Sequence, residues 1–181
     1  VVEGGIRGAQ RGIRERGGKI VIGAGTAGMT AYRGALEHTQ SVVVIEDGPY
    51  GTTCARVGCM PSKLLIAAAE AAHTITHSAL FGVHGGALRV DGRAVMQRVR
   101  DERDRFVGFV VEAVERWPEE HRLRGRARFI DDHTLDVGGH TQVNASRIVI
   151  ATGSQPMVPA AWQQALGDRL IVNDDVFAWQ D

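Results

Sequence analysis

The stretch from Lys19 to Glu46 constrains the fold more than any other part of the chain. It reads Lys19-Ile20-Val21-Ile22, then Gly23-Ala24-Gly25-Thr26-Ala27-Gly28. A helical stretch follows from about Met29 to His38, then Ser41-Val42-Val43-Val44-Ile45, closed by Glu46. Short, wholly apolar runs read as strands buried on both faces of a parallel sheet. Strand, glycine turn, helix and strand together make a βαβ unit. A lone Gly-x-Gly-x-x-Gly says little. Here it follows a strand, opens a helix and is answered by an acidic residue at the end of the next strand, which is the context of a dinucleotide site. Gly23 permits the tight turn, Gly25 lets the backbone approach a pyrophosphate, and Gly28 lets the helix pack closely on the strand. Thr26 and Ala27 lie between them, where the helix N-terminus faces the phosphates. Glu46 would accept hydrogen bonds from ribose hydroxyls, which disfavours a 2′-phosphorylated cofactor. The plainer alternative is a glycine-rich packing turn with a surface glutamate.

Both cysteines of the chain lie just downstream, in Gly51-Thr52-Thr53-Cys54-Ala55-Arg56-Val57-Gly58-Cys59-Met60-Pro61-Ser62-Lys63. They admit three readings: a structural staple, half of a metal site, or a reversible disulfide. As a staple the bond would close a ring of roughly six residues, for about 2 kcal/mol of loop entropy. A chain of 181 residues with 44% apolar composition does not need that help. Structural zinc takes four Cys or His ligands at recognisable spacings, and the nearest histidine, His73, lies far down the next helix, so no metal is assigned. Pro61 suits the first turn of a helix running through Ser62 to Ala71 and on to about His73. Cys59 would then sit at the positive end of the helix dipole, where a thiolate is stabilised. Arg56 and Lys63 add positive charge, and Arg56 is expected to lower a thiol pKa. Gly58 allows a sharp turn or a close approach to a flat ligand. A redox pair is the favoured of the three readings. It needs an electron partner, and a flavin ring exchanges electrons with thiols, so the dinucleotide reads as FAD rather than NAD. No second glycine fingerprint is present for a nicotinamide cofactor.

Lys plus Arg equals Asp plus Glu at 21 each, so no bulk field favours nucleic acid or an acidic membrane surface. The reading is of a soluble, cytoplasmic chain with no apolar run approaching a membrane span and no signal peptide. Cysteine usage is too low for a secreted scaffold. Residues 1–18, rich in Gly and Arg, read as a flexible tail or a remnant added to the chain, with organised structure beginning at Lys19. Residues 74–90 read as a loop whose histidines are surface residues. From Gly92 to about Trp117, the spacing of Val95, Val99, Phe106, Val110, Val114 and Trp117 predicts an amphipathic helix. Arg122–Ile130, Thr134–Val137 and Thr141–Asn144 read as small strands with turns at Asp131-Asp132 and Gly138-Gly139. Arg147–Thr152 reads as a further buried strand stopped by Gly153. A Pro-punctuated tail leads to the apolar Leu170-Ile171-Val172.

Three motifs carry a family resemblance: Gly23–Gly28 with Glu46, Cys54–Lys63, and Ala151-Thr152-Gly153-Ser154-Gln155-Pro156. From about Lys19 to its end the chain resembles the N-terminal part of the class I pyridine nucleotide-disulfide oxidoreductases. That family includes dihydrolipoamide dehydrogenase, glutathione reductase and mercuric reductase. The resemblance implies an α/β, Rossmann-like FAD-binding domain over 19–181, with a parallel sheet and a small β-meander insertion. By the same resemblance Cys54 would be the thiol that meets a dithiol or disulfide substrate, small or protein-bound, and Cys59 the thiol against the flavin. Lys63 would lie near the reactive edge of the flavin. Gly51 and Thr53 would contact flavin or pyrophosphate, Ala127 would touch adenine, and Ala151, Thr152 and Gly153 would line the cofactor.

Pro61-Ser62-Lys63 is closer to the dihydrolipoamide dehydrogenase and mercuric reductase branches than to glutathione reductase. Thr52 stands where the family carries a second glycine, and Arg56 where it carries asparagine. The family continues into nicotinamide and interface domains, the latter supplying a His-Glu pair from a partner subunit. No catalytic base is therefore assigned here. The expected function is that of the FAD and disulfide half of a dihydrolipoamide dehydrogenase-like homodimer that uses NAD when complete. The alternatives are mercuric reductase or another disulfide reductase of the family, or an FAD-binding module or fragment without turnover.

Overall fold

The structure, a computed structural model, describes residues 13–14 and 18–180. The chain divides into two compact units: residues 1–50 with 111–153, and residues 51–110 with 154–181.

The first unit is built on a four-stranded parallel sheet of β2 (Lys19–Ile22), β3 (Val42–Glu46), β4 (Arg122–Arg124) and β8 (Arg147–Ile150). The spatial order is β4-β3-β2-β8. Residues 26–36 form α1 (Thr26–Leu36), the crossover between β2 and β3. The two faces of the sheet are read directly from the alternation of side chains. Val21, Val42 and Val44 face α1, packing with Ala24, Tyr32 and Ala35. Ile20 and Ile45 face the other way and pack with Leu135, Val137 and Val143 of a second sheet. With both faces covered, the strands can be apolar at every position, which is why their sequences show no polar alternation.

The second sheet is the meander β5 (Ala127–Phe129), β6 (Thr134–Val137) and β7 (Thr141–Asn144), antiparallel throughout. A short β1 (Ile13–Arg14) pairs parallel with β7. Ordered pairing therefore begins within the segment read as a tail. The rest of that expectation falls on residues 1–12 and 15–17, outside the described residues. The single strand expected over Arg122–Ile130 is two strands. Gly125, at φ +142°, breaks it, so that β4 joins the parallel sheet and β5 starts the meander. The strand expected to be buried at Arg147–Thr152 is instead the edge strand β8, with Ile150 67% exposed. Among the described residues it pairs with β2 only.

The outer end of α1 is locked to the start of β4. Tyr32 lies against Trp117, ring centroids 4.1 Å apart, and shares a buried 2.8 Å hydrogen bond with His121 Nδ1. Burial, and to a lesser degree the charge of Glu120, hold the Tyr32 hydroxyl above its usual pKa. The phenol therefore keeps its proton.

The second unit holds α2 (Thr53–Val57), α3 (Cys59–His77), a short 3-10 turn at Ser78–Phe81, and α5 (Ala160–Leu166). The long helix α4 (Gly92–Glu115) begins here and carries the chain back to the first unit. Helix α3 runs past His73 to His77, so the loop expected over 74–90 is reduced at its start. Ala-rich residues 67–72 propagate helix readily, and no Gly or Pro follows until Gly82, which ends the 3-10 turn at φ +73°. The Pro-punctuated tail forms α5 before the apolar Leu170–Val172. Arg103 donates to the Phe177 carbonyl at 2.9 Å and Arg100 to that of Trp179, tying the tail to α4. Thr53–Phe81 is also long and apolar enough to cross a membrane, by length and composition alone, which corrects the expectation of no such run. Its apolarity comes from Leu64, Leu65, Ile66, Ile75, Leu80 and Phe81 together with alanines, with few charges among them.

Candidate functional site

In the first unit the glycine turn lies at the carboxyl ends of β2 and β3. An added Cβ on Gly28 would stand 1.8 Å from the Gly23 carbonyl oxygen, so only glycine lets α1 lie this close to the turn. Gly23, at φ +103°, is pressed against the strand on its other side: a Cβ there would meet the Ala151 oxygen at 2.3 Å and the Thr152 Cα at 3.3 Å. The Ala151 amide donates to the Ile22 carbonyl at 2.8 Å. Gly23–Gly28 and Ala151–Thr152 thus meet where the strand order reverses between β2 and β8, the switch point at which open α/β sheets bind ligands.

Gly25 is different. It is the N-cap of α1 at φ −75°, and a Cβ there would meet nothing within 4 Å. The helix N-terminus carries no side-chain cap and no acidic residue in its first turn. Free amides and open space at the positive end of an 11-residue helix fit a pyrophosphate. Thr26 and Ala27 are exposed at that end.

Glu46 works inward as well as outward. Its two carboxylate oxygens accept from the Ala24 amide at 2.7 Å and the Gly48 amide at 2.8 Å, pinning the glycine turn to the end of β3. Each oxygen retains a second lone pair for a ribose hydroxyl. Ala127 begins β5 opposite Val137 and is half-buried against the core.

In the second unit the two cysteines lie on consecutive helices, Cys54 in α2 and Cys59 as the first residue of α3. Gly58 turns the chain between them. A Cβ on it would stand 3.1 Å from the Thr53 carbonyl oxygen and 3.3 Å from the Cys54 Cα, a crowded position suited to glycine. Both cysteines are free thiols, Cys59 exposed and Cys54 half-buried. The Cys54 thiol hydrogen-bonds to the Cys59 thiol, and the amides of Cys59 and Met60 point at its sulfur. The first amides of α3 therefore serve Cys54. The net effect is to push the Cys54 thiol up. Its bond to the Cys59 sulfur contributes most, then burial, then the Cys59 charge, against the opposing amides. Arg56 is not among the causes, so the expectation that it lowers a thiol pKa does not hold at Cys54. Its stem instead packs beside buried Gly51, where a Cβ would lie 3.3 Å from Arg56 Cδ and 2.9 Å from Val107 Cγ1. Thr53 and Lys63 are exposed, and Lys63 stands one turn after Cys59 on the same side of α3.

A model of the pyridine nucleotide-disulphide oxidoreductase family matches residues 19–177. The chain belongs to that family. Among curated relatives, mercuric reductase of Bacillus cereus is 30% identical over 145 residues, which is 77% of this chain and 22% of that protein. Dihydrolipoyl dehydrogenase of Chlamydia muridarum is 34% identical over 143 residues, 76% of this chain and 30% of that protein. The HOCl-induced flavoprotein disulfide reductase RclA of Escherichia coli shares the fold at a TM-score of 0.71 and 23% identity, over 91% of this chain and 34% of that one. The chain thus spans between 22% and 34% of the length of these proteins.

Within the pyridine nucleotide-disulphide oxidoreductase family, one local residue escapes a reading by motif. Thr52 adopts φ 56° and ψ 147°, a region that side-chain-bearing residues rarely occupy. Its hydroxyl accepts from the Ala55 amide at 3.1 Å and so caps α2. A Thr three residues before Ala55, in the place of a family glycine, is the sequence signal for this cap.

Proposed function

We propose that this chain is the FAD- and disulfide-bearing part of a dithiol/disulfide oxidoreductase of dihydrolipoamide dehydrogenase type, homodimeric and NAD-linked as a whole protein. The observation that carries the reading is the pairing of Cys54 and Cys59 at the N-terminus of α3 in a chain that also leaves an uncapped, open helix N-terminus at Gly25. Gly23–Gly28, Glu46, Ala127 and Ala151–Gly153 are the residues that would hold FAD in the first unit. Gly51, Thr53 and Lys63 are those assigned to it in the second.

Starting from the oxidised pair, a substrate thiolate attacks the Cys54 sulfur, the Cys54–Cys59 bond breaks, and Cys59 leaves as thiolate. The second substrate thiol, deprotonated, attacks the substrate sulfur of the mixed disulfide and releases Cys54 as a thiolate, which the amides of Cys59 and Met60 face. Cys54 then takes a proton. The substrate has lost two electrons and become a disulfide; the cysteine pair has gained them. FAD, when bound, supplies the two-electron acceptor that re-oxidises the pair and hands the electrons on to NAD in the whole protein. Lys63, one turn after Cys59, brings a positive charge to the same end of α3.

Gly25→Asp tests the cradle. The backbone there suits any residue and no protein atom lies within 4 Å of the new Cβ, so the variant folds. Aspartate is a good N-cap, and its carboxylate takes the amides that a pyrophosphate would use. The expected result is an unchanged or raised melting temperature with FAD affinity, read by quenching of flavin fluorescence, lowered about a hundredfold or more. FAD binding unaffected by Gly25→Asp would refute the cradle. For the thiols, dihydrolipoamide added to the oxidised chain without nicotinamide should expose two titratable thiols. Cys54→Ser should leave no disulfide to open.

A further inference from the structure

At the far end of α3 from the cysteines, His73 and His77 stand one turn apart, both exposed. Their rings are stacked, with centroids 3.9 Å apart and planes inclined by 30°. The spacing His73-Thr74-Ile75-Thr76-His77 puts both imidazoles on one side of the helix, as in helical zinc sites that use two histidines four residues apart. The tautomer of His77 is fixed by its neighbours. Its Nδ1 lies 2.9 Å from the His73 carbonyl oxygen, which can only accept, so Nδ1 carries the proton. Thr76 Oγ1 lies 3.0 Å from the same nitrogen and gives its own proton to the His73 carbonyl at 2.8 Å, so it too is an acceptor towards His77. With Nδ1 occupied, the free lone pair of His77 is on Nε2. A backbone carbonyl holding one imidazole nitrogen while the other faces a cation is the usual orienting arrangement of metal-binding histidine. His77 is also the last residue of α3, at the negative end of the helix dipole, where a cation is favoured.

We propose that His73 and His77 form a two-histidine chelate for a borderline divalent transition ion, of the class of nickel(II), copper(II) or zinc(II). Imidazole nitrogen suits these ions and discriminates against magnesium and calcium. Among the described residues no group of three or more His, Cys, Asp or Glu gathers. The protein therefore supplies two ligands, and water fills the remaining positions. Such a site is open and exchanges its metal freely, unlike a closed structural zinc site. It is separate from the thiol pair, whose Cys59 begins the same helix about four turns before His73.

The experiment is calorimetric titration of the intact chain with nickel(II) chloride, after Cys54 and Cys59 have been alkylated with N-ethylmaleimide to remove the competing thiols. One equivalent should bind in the micromolar range. His73→Gln and His77→Gln should each weaken it at least about tenfold, because either change turns a chelate into a single imidazole. Copper(II) bound to the alkylated chain should show two nitrogen ligands by electron paramagnetic resonance, reduced to one in either variant. Nickel should raise the melting temperature of the parent chain and leave that of His73→Gln unmoved. Saturable binding that survives the double substitution, or no saturable binding by the parent chain, would overturn the proposal. Both histidines are exposed, so circular dichroism of the variants should match the parent.

Discussion

At Cys54 two influences of opposite sign meet. The Cys59 thiol, burial and the Cys59 charge hold its proton on, while the amides of Cys59 and Met60 favour its release. Replacing Cys59 by alanine removes the first and third causes and leaves the amides. The Cys54 pKa should therefore fall, and its rate of alkylation by iodoacetamide should reach half-maximum at a lower pH in Cys59→Ala than in the reduced parent chain. A profile that stays put or moves up would sink the assignment. The functional meaning is that Cys54 keeps its proton while the Cys59 thiol stands beside it. Sequence spacing pointed to a redox pair and to the helix N-terminus. It could not show that the amides serve Cys54, because that depends on how the Gly58 turn folds α2 back over the start of α3.

Among the elements, α2 shows a cap and a strained backbone at one residue. Thr52 holds α2 by its hydroxyl, worth about 1 kcal/mol, at a backbone conformation that costs about 1–3 kcal/mol for a side-chain-bearing residue. Thr52→Ala keeps the strain and loses the cap. It should lower stability by about 1 kcal/mol in urea denaturation. Thr52→Gly loses the same hydroxyl but relieves the strain, and should be more stable than Thr52→Ala; the reverse order would show the positive φ to be unstrained. The elements most legible in the sequence were those with a strong local signal. The βαβ unit, α4 and the meander strands β6 and β7 lie where the apolar spacing and turn residues put them. Less legible were elements decided by distant partners. Nothing local in Arg122–Ile130 says that β4 pairs with β3 while β5 pairs with β6, and nothing in Arg147–Ile150 says that it lies at an edge. The Tyr32–His121 bond spans 89 residues and leaves no mark on either neighbourhood.

Across the whole molecule, the residues assigned to FAD come from segments far apart in sequence, and in the first unit these are the glycine turn, the end of β3, β5 and the segment after β8. A ligand that binds only the folded cradle stabilises it by mass action. FAD should therefore slow amide hydrogen exchange at Gly23–Gly28 and at Ala151–Gly153 together, while NAD at equal concentration leaves both unchanged. Protection confined to one segment would argue against a shared site. The motifs at these positions were legible because Gly23 and Gly28 answer local steric demands and Gly25 leaves the helix N-terminus open. Their assembly was legible only through the order of the strands.

That order has a consequence in time. The second neighbour of strand β2, β8, is made on the order of a hundred residues after it, and Gly23 rests on the backbone just beyond β8. As the polypeptide leaves the ribosome, the glycine turn emerges before β8 and stays half-walled until Ala151 and Thr152 arrive. A cofactor offered to the nascent chain before then would meet the turn, α1 and Glu46 without the backbone of Ala151 and Thr152.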